Sequence, residues 1–265
     1  MTSARATKRK RREARAPTPP PVGGRRRASP KVLIGAAVVV ALIVLAIVLG
    51  FVLTGGSSSS STPARGSLES ALPGATDVNS LLKGIPQNGR VLGSPNAAAT
   101  LVEYIDLQCP ACQVFETQAM PSLIRRYVRT GKVKVEARPI AFIGPDSERG
   151  RSAALAAAQQ NRFFNFSQLL YFNQGVENSG WLDDAMVKSA AASIPGLDVP
   201  RLLSARGSST VSTQARALDA QAEQDDVRET PTILVGKSGG ALSKVSMPSL
   251  TDTASIAAAI ESAQR

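Results

Sequence analysis

The sequence contains no histidine and only two cysteines. The first absence removes the side chain most often used as a general base and as a nitrogen ligand to zinc. The second leaves no third thiol to complete a metal site and no C-x-x-C-H for haem. Nucleotide-binding glycine motifs and internal repeats are also missing. Acidic residues are in short supply, 20 Asp and Glu against 31 Lys and Arg, for a formal net charge of +11. Spread over a folded surface, such an excess would point to nucleic acid. It is not spread out: residues 1–31 hold eleven Lys and Arg against a single acid, Glu13, so this arm carries +10 of the +11. No nucleic-acid partner is expected, because such an arm would explain the Lys8 to Arg12 run but not its place beside an apolar stretch.

That stretch, Val32 to Leu53, has no charged or strongly polar side chain. About 20 apolar residues cross a bilayer core, and basic residues flanking a first span stay in the cytoplasm. The expectation is a single transmembrane anchor at 32–53 behind a disordered cytoplasmic arm at 1–31, with the remainder outside the cell membrane. A cleaved signal peptide is the nearest alternative, but its apolar core is usually shorter and ends in an A-x-A-like site, whereas this run leads into Thr54-Gly55-Gly56 and serines. Either topology puts both cysteines in an oxidising compartment. Residues 54–87, opening on Gly, Ser, Thr and Pro, are expected to be a flexible tether, with 66–88 ambiguous in pattern.

The folded part, 88–264, begins with short strand candidates at Arg90–Gly93 and Thr100–Leu107, divided by the turn-like Ser94-Pro95-Asn96. A helix should follow Cys109, kink at Pro121 and stop at Gly131. Lys132–Ile140 alternates Val133, Val135 and Ala137 with polar residues, as a half-buried strand does. Strand, helix, strand is a βαβ unit. Residues 147–228 read as an all-helical insertion with Phe163, Phe164, Phe166, Tyr171 and Phe172 as its core. Thr232–Gly236 and Leu242–Ser246 read as a hairpin around Ser238-Gly239-Gly240, and Thr253–Ala263 as a closing helix.

The chemistry resides in Cys109-Pro110-Ala111-Cys112. At a strand-to-helix junction this spacing puts Cys109 at the first helical turn, where free N–H groups and the helix dipole favour a thiolate, and Pro110 where its missing N–H goes unnoticed. Such motifs lower the thiol pKa to about 3.5–7.5. Cys109 is therefore read as the nucleophile and Cys112, one turn deeper, as the resolving thiol, which needs a proton acceptor. Glu103 and Asp106 precede the motif, and alternation puts them on opposite faces of the strand, so only one can lie beneath the site. A purely stabilising disulfide would close too small a loop to contribute much, and a metal site lacks ligands; no metal and no cofactor are expected. Thr230-Pro231-Thr232 opens the strand after the insertion, and as sequence alone it is an ordinary trans proline at a strand start.

Tyr104-Ile105-Asp106-Leu107-Gln108-Cys109-Pro110-Ala111-Cys112, the aromatic stretch Phe163–Gln174 with Gly180-Trp181-Leu182, and Thr230-Pro231-Thr232-Ile233-Leu234-Val235-Gly236 together resemble the DsbA-like branch of the thioredoxin fold, over roughly residues 88–264. The 119 positions between Cys112 and Pro231 leave room for the helical insertion of that branch. The resemblance implies an α/β thioredoxin-like fold with an inserted all-helical domain, a cis Pro231 facing the cysteines, and Thr230 offering backbone hydrogen bonds to an extended substrate. It also implies Glu103 as the buried proton acceptor and Asp106 as the aspartate of the approach to the motif. Its implied partners are reduced exported proteins and a membrane quinone-linked thiol oxidase. Ala111 stands where the family's strong oxidant has histidine, and Glu229 where relatives often have glycine; both imply a weaker oxidant. Disulfide formation is the leading expectation. A reductase or isomerase, a client-binding module with idle cysteines, and a C-x-x-C metallochaperone are the alternatives.

Overall fold

The computed structural model describes residues 63–69 and 71–265. The basic arm and the anchor expected at 32–53 lie outside the described residues. Among the described residues, no helix is long and apolar enough to cross a membrane.

A six-stranded sheet organises the domain: β1 (Gln87–Asn88), β2 (Val91–Leu92), β3 (Ala99–Ile105), β4 (Val133–Pro139), β5 (Thr232–Lys237) and β6 (Leu242–Lys244), in the order β1-β2-β4-β3-β5-β6. Only β3 and β4 run parallel; β5 returns antiparallel against β3, with Glu103 opposite Ile233, and β6 closes the hairpin. All seven residues of β3 are buried, which a central strand covered on both faces requires. In β4 buried and half-buried positions alternate along the strand. Gly131 ends the preceding helix at φ 74 and Gly239 turns the hairpin at φ 78, conformations that side-chain-bearing residues rarely adopt.

The parallel connection is α2 (residues 110–128), in which two π-type turns, Phe115–Ala119 and Ile124–Val128, flank Met120–Leu123. Pro121 follows the first of these wide turns, where the hydrogen-bond ladder already slips by one residue, so its missing N–H falls at an interruption. The insertion expected over 147–228 comprises α3 (Pro145–Ala158), α4 (Phe163–Phe172), α5 (Asp184–Ala192), α6 (Val199–Ala205) and α7 (Ser209–Gln224), and α8 (Ala254–Ala263) closes the chain. Asp183, Asp198 and Ser208 cap three of these helices by accepting from N–H groups of their first turns. Phe163, Phe164, Phe166 and Tyr171 are buried in the insertion, Phe163 and Phe164 edge to face with centroids 5.3 Å apart. Phe172, expected among them, is exposed.

The largest departure concerns the tether expected at 54–87. Ala75–Leu82 forms a helix, α1, that buries Ala75, Val78 and Leu82 in the main core. Farther upstream, Gly66 N–H donates to Leu197 O, Ser67 N–H to Ala192 O and Val199 N–H to Ala64 O, so this strip lies along the insertion. A Cβ on Gly66 would stand 2.2 Å from Ile194 O. The sequence read as tether because α1 is only two turns long and fully buries just Ala75, Val78 and Leu82, behind a polar, serine-rich stretch.

The core has two parts. On one face of β3, Leu101 and Ile105 join Cys112, Phe115, Leu123, Ile256 and Ile260. On the other, Val102 and Tyr104 meet Ala222, Val227 and Leu234. Glu103 lies between Leu101 and Ile105 in the strand, so alternation directs it to the cysteine side.

Candidate active site around the cysteine pair

β3 ends at Ile105, two residues earlier than expected, because Asp106 organises the turn that follows. Its carboxylate accepts from the N–H groups of Gln108, Phe142 and Ile143, and its carbonyl accepts from Cys109 N–H and from the Tyr171 hydroxyl. Asp106 thus joins the motif loop to the segment after β4 instead of pointing at the thiols. Glutamine amides fasten the same loop to the insertion. Gln174 Nε2 donates to Leu107 O and Cys109 O, Gln113 Nε2 donates to Tyr171 O, and buried Gln108 bonds Ser147 and Asn178. These glutamines carry no signal of their own in a sequence, where each reads as a surface residue.

Cys109 is the N-cap of α2, with extended backbone, and Pro110 occupies the first turn. Both cysteines are free thiols. The Cys109 side chain, 7% exposed, reaches Thr230 O at 3.4 Å. The Thr230–Pro231 peptide is cis. The structure therefore brings together Cys109, Cys112 and the Thr230-Pro231 loop across 121 sequence positions.

The Cys109 pKa is lowered to about 6. The largest cause is a hydrogen bond from the Cys112 thiol; Thr230 and the N–H groups of Cys112 and Ala111 add to it, against the opposing effect of burial. Burial pushes Cys112 in the opposite direction, well above the ordinary thiol value, and the neighbouring Cys109 reinforces this. Two thiols of one motif are thus split into an acidic outer and a protonated inner member, as a nucleophile and its resolving partner require.

Glu103 is buried on the cysteine side of β3, and burial raises its pKa, with Glu116 contributing further. Glu116 was not singled out in the sequence, although it stands four residues after Cys112 on the same helix, where i and i+4 side chains share a face. It too is buried, and burial raises its pKa to about 7. Gln168 of α4 donates to its Oε2.

A groove of about 650 Å³ opens beside the thiols, lined by Ala111, Thr230, Pro231, Val245, Met247 and Leu250 among others, with Arg228, Glu229 and Lys244 along it. Ala111 puts only a methyl group into this groove. Glu229 is exposed, so solvent screens the negative charge expected to act on the site. Among the described residues, no group of three His, Cys, Asp or Glu side chains is placed to hold a metal.

The sequence pattern of the thioredoxin family matches residues 86–242. The chain is similar to "Probable disulfide bond formation protein D" of Bacillus cereus, 27% identical over 147 residues, covering 54% of this chain and 68% of that protein. It is also similar to disulfide bond formation protein D of Bacillus subtilis, 27% identical over 159 residues, 58% of this chain and 68% of the relative. The crystal structure of oxidised BdbD from Bacillus subtilis superposes with a TM-score of 0.59 at 22% identity, covering 67% of this chain and 93% of that one. Matching the family pattern over more than half of its length, this chain belongs to the thioredoxin family, and its sheet with an inserted helical unit is a DsbA-like fold.

Proposed function

We propose that this protein-disulfide oxidoreductase forms disulfides in exported proteins, using Cys109 as nucleophile and Cys112 as resolving thiol. The observation that carries the reading is the contrast at the motif: an acidic Cys109 at a helix start, against the Thr230-Pro231 loop, above a buried and protonated Cys112.

In the oxidising direction a substrate thiolate attacks Cys109 Sγ of the Cys109–Cys112 disulfide. The S–S bond breaks, the substrate sulfur bonds to Cys109, and Cys112 leaves as a thiolate that takes up a proton. A second substrate thiolate then attacks the substrate sulfur of this mixed disulfide, expelling Cys109 as a thiolate. Two electrons have passed from substrate to enzyme. The low Cys109 pKa makes it a good leaving group in that last step. The Thr230 carbonyl, directed at Cys109, sits where an extended substrate segment can hydrogen-bond alongside β5. A membrane quinone-linked thiol oxidase takes the electrons from the reduced pair. The basic arm and apolar run support a single-pass membrane protein with this domain outside, a topology that accords with its relatives' role in disulfide formation. Isomerase chemistry would use the same thiolate, and the redox potential separates the two.

Replacing Cys109 with Ser tests the reading. The variant should fail to restore disulfide formation in exported reporters of a deletion strain; full complementation would leave the cysteines idle and make the protein a client-binding module.

A further inference from the structure

The carboxyl groups of Glu103 and Glu116 meet beneath the cysteine pair in an arrangement that two ionised acids cannot hold. Both are buried, at 1% and 2% exposure. Each acts directly on the other's pKa, as carboxyl groups within hydrogen-bonding reach do. Beyond that contact, no described residue donates to Glu103 Oε2 or Glu116 Oε1, and among the described residues the donor to the pair is Gln168 Nε2, on Glu116 Oε2. Among the described residues neither acid forms a salt bridge. The strand neighbours of Glu103, Ala137 in β4 and Ile233 in β5, bring no cation. Cys112, Asp106 and both glutamates all bear on the buried Tyr171 hydroxyl, so these titratable groups surround one side chain. Two unpaired carboxylates at such a place would each lose hydration without compensation and repel one another. One proton held between them turns two orphaned oxygens into a donor and an acceptor.

We propose that Glu103 and Glu116 form a single proton-exchanging unit for Cys112, oriented by Gln168, which holds one proton at rest and carries a second only while Cys112 is a thiolate. The unit rests on the redox reading above and replaces a single acceptor at Glu103. Glu116, one helical turn after Cys112, is the member that gains and loses the exchangeable proton, and Glu103 the member that keeps its own. When the reduced pair closes, Cys109 first forms a mixed disulfide with the oxidant. The Cys112 thiol then passes its proton to the singly ionised pair, attacks Cys109 Sγ and releases the oxidant's second sulfur as a thiolate. In the reverse flow the doubly protonated pair returns the proton to the departing Cys112. An acid exchanging near neutral pH is well matched to this transfer: burial raises Glu116 to about 7, against the lowering effect of its bonds from Glu103 and Gln168.

The test is the pH dependence of disulfide closure when the reduced full-length protein meets saturating oxidised glutathione. Wild type should show an inflection at about 7, the value of the exchanging acid. Glu116→Gln and Glu103→Gln should each abolish that inflection and slow closure at least ~10-fold, and the double variant should be no slower than either single one, since the pair acts as one unit. The Cys109 alkylation midpoint should stay in place in all three. An unmoved inflection in Glu116→Gln, or single effects that multiply, would overturn the proposal. Infrared spectroscopy of the wild-type protein gives a readout free of folding effects: a protonated-carboxyl band should persist at mildly alkaline pH, and its absence would be equally fatal. Failure of wild type to exchange with glutathione at all would remove the redox reading itself, whereas normal exchange with an unmoved inflection removes only the pair.

Discussion

At the scale of residues, the two thiols differ because one caps a helix and the other is sealed beneath it. The spacing of Cys109 and Cys112 made that legible before any fold was known. What the spacing does not contain is the source of the acidity: the largest contribution is the Cys112 thiol itself, followed among the stabilising contacts by the Thr230 side chain. Cys112→Ala should raise the Cys109 midpoint from about 6 by a pH unit or more, read from the pH dependence of iodoacetamide alkylation. Linkage has a definite sign. A folded pKa below the unfolded value of about 8.5 stabilises the reduced folded chain at high pH, and that contribution disappears as pH falls through about 6. At pH 7 it amounts to about 1.4 kcal/mol, one pKa unit's worth, since the unfolded thiol is still protonated there. Reduced wild type should therefore lose stability relative to Cys109→Ser between pH 8 and pH 5, a trend that urea titrations at each pH would reveal. Glu116 stayed hidden because a glutamate in a helix ordinarily faces solvent. Only the packing of Gln168 and β3 around it shows otherwise.

At the scale of elements, central strands and the insertion were readable because their signals are dense: β3 is almost wholly apolar, β4 alternates, and five aromatic residues crowd α4 and its end. α1 was not, since it spends only Ala75, Val78 and Leu82 on the core and is preceded by a polar, serine-rich segment. It is nonetheless integral. Arg129 donates to the carbonyls of Leu81 and Lys83, tying the end of α1 to the end of α2. Leu82→Ala should cost about 2–5 kcal/mol, the range for truncating a buried leucine, as measured by equilibrium urea unfolding. A flexible tether at this position would give no change. The strand-to-motif junction illustrates the converse: β3 was expected to reach Leu107, and a single side chain, Asp106, ends it early by taking three N–H groups into a turn.

At the scale of the whole molecule, the long interval between Cys112 and Pro231 was the most informative single feature, because a chain of that length must form a second structural unit before returning to the thiols. That unit does more than fill space. Its Gln174 holds the motif loop, Tyr171 secures the Asp106 carbonyl and Gln168 reaches Glu116, so the insertion sets the chemistry of a site whose two cysteines belong to the sheet domain. The central claim is that this site donates a disulfide to its substrates, and the redox equilibrium of the Cys109–Cys112 pair with glutathione tests it most directly. A stabilised Cys109 thiolate favours the reduced enzyme and hence an oxidising pair, so the account predicts a potential clearly above thioredoxin's roughly −270 mV; a value at or below about −270 mV would contradict it.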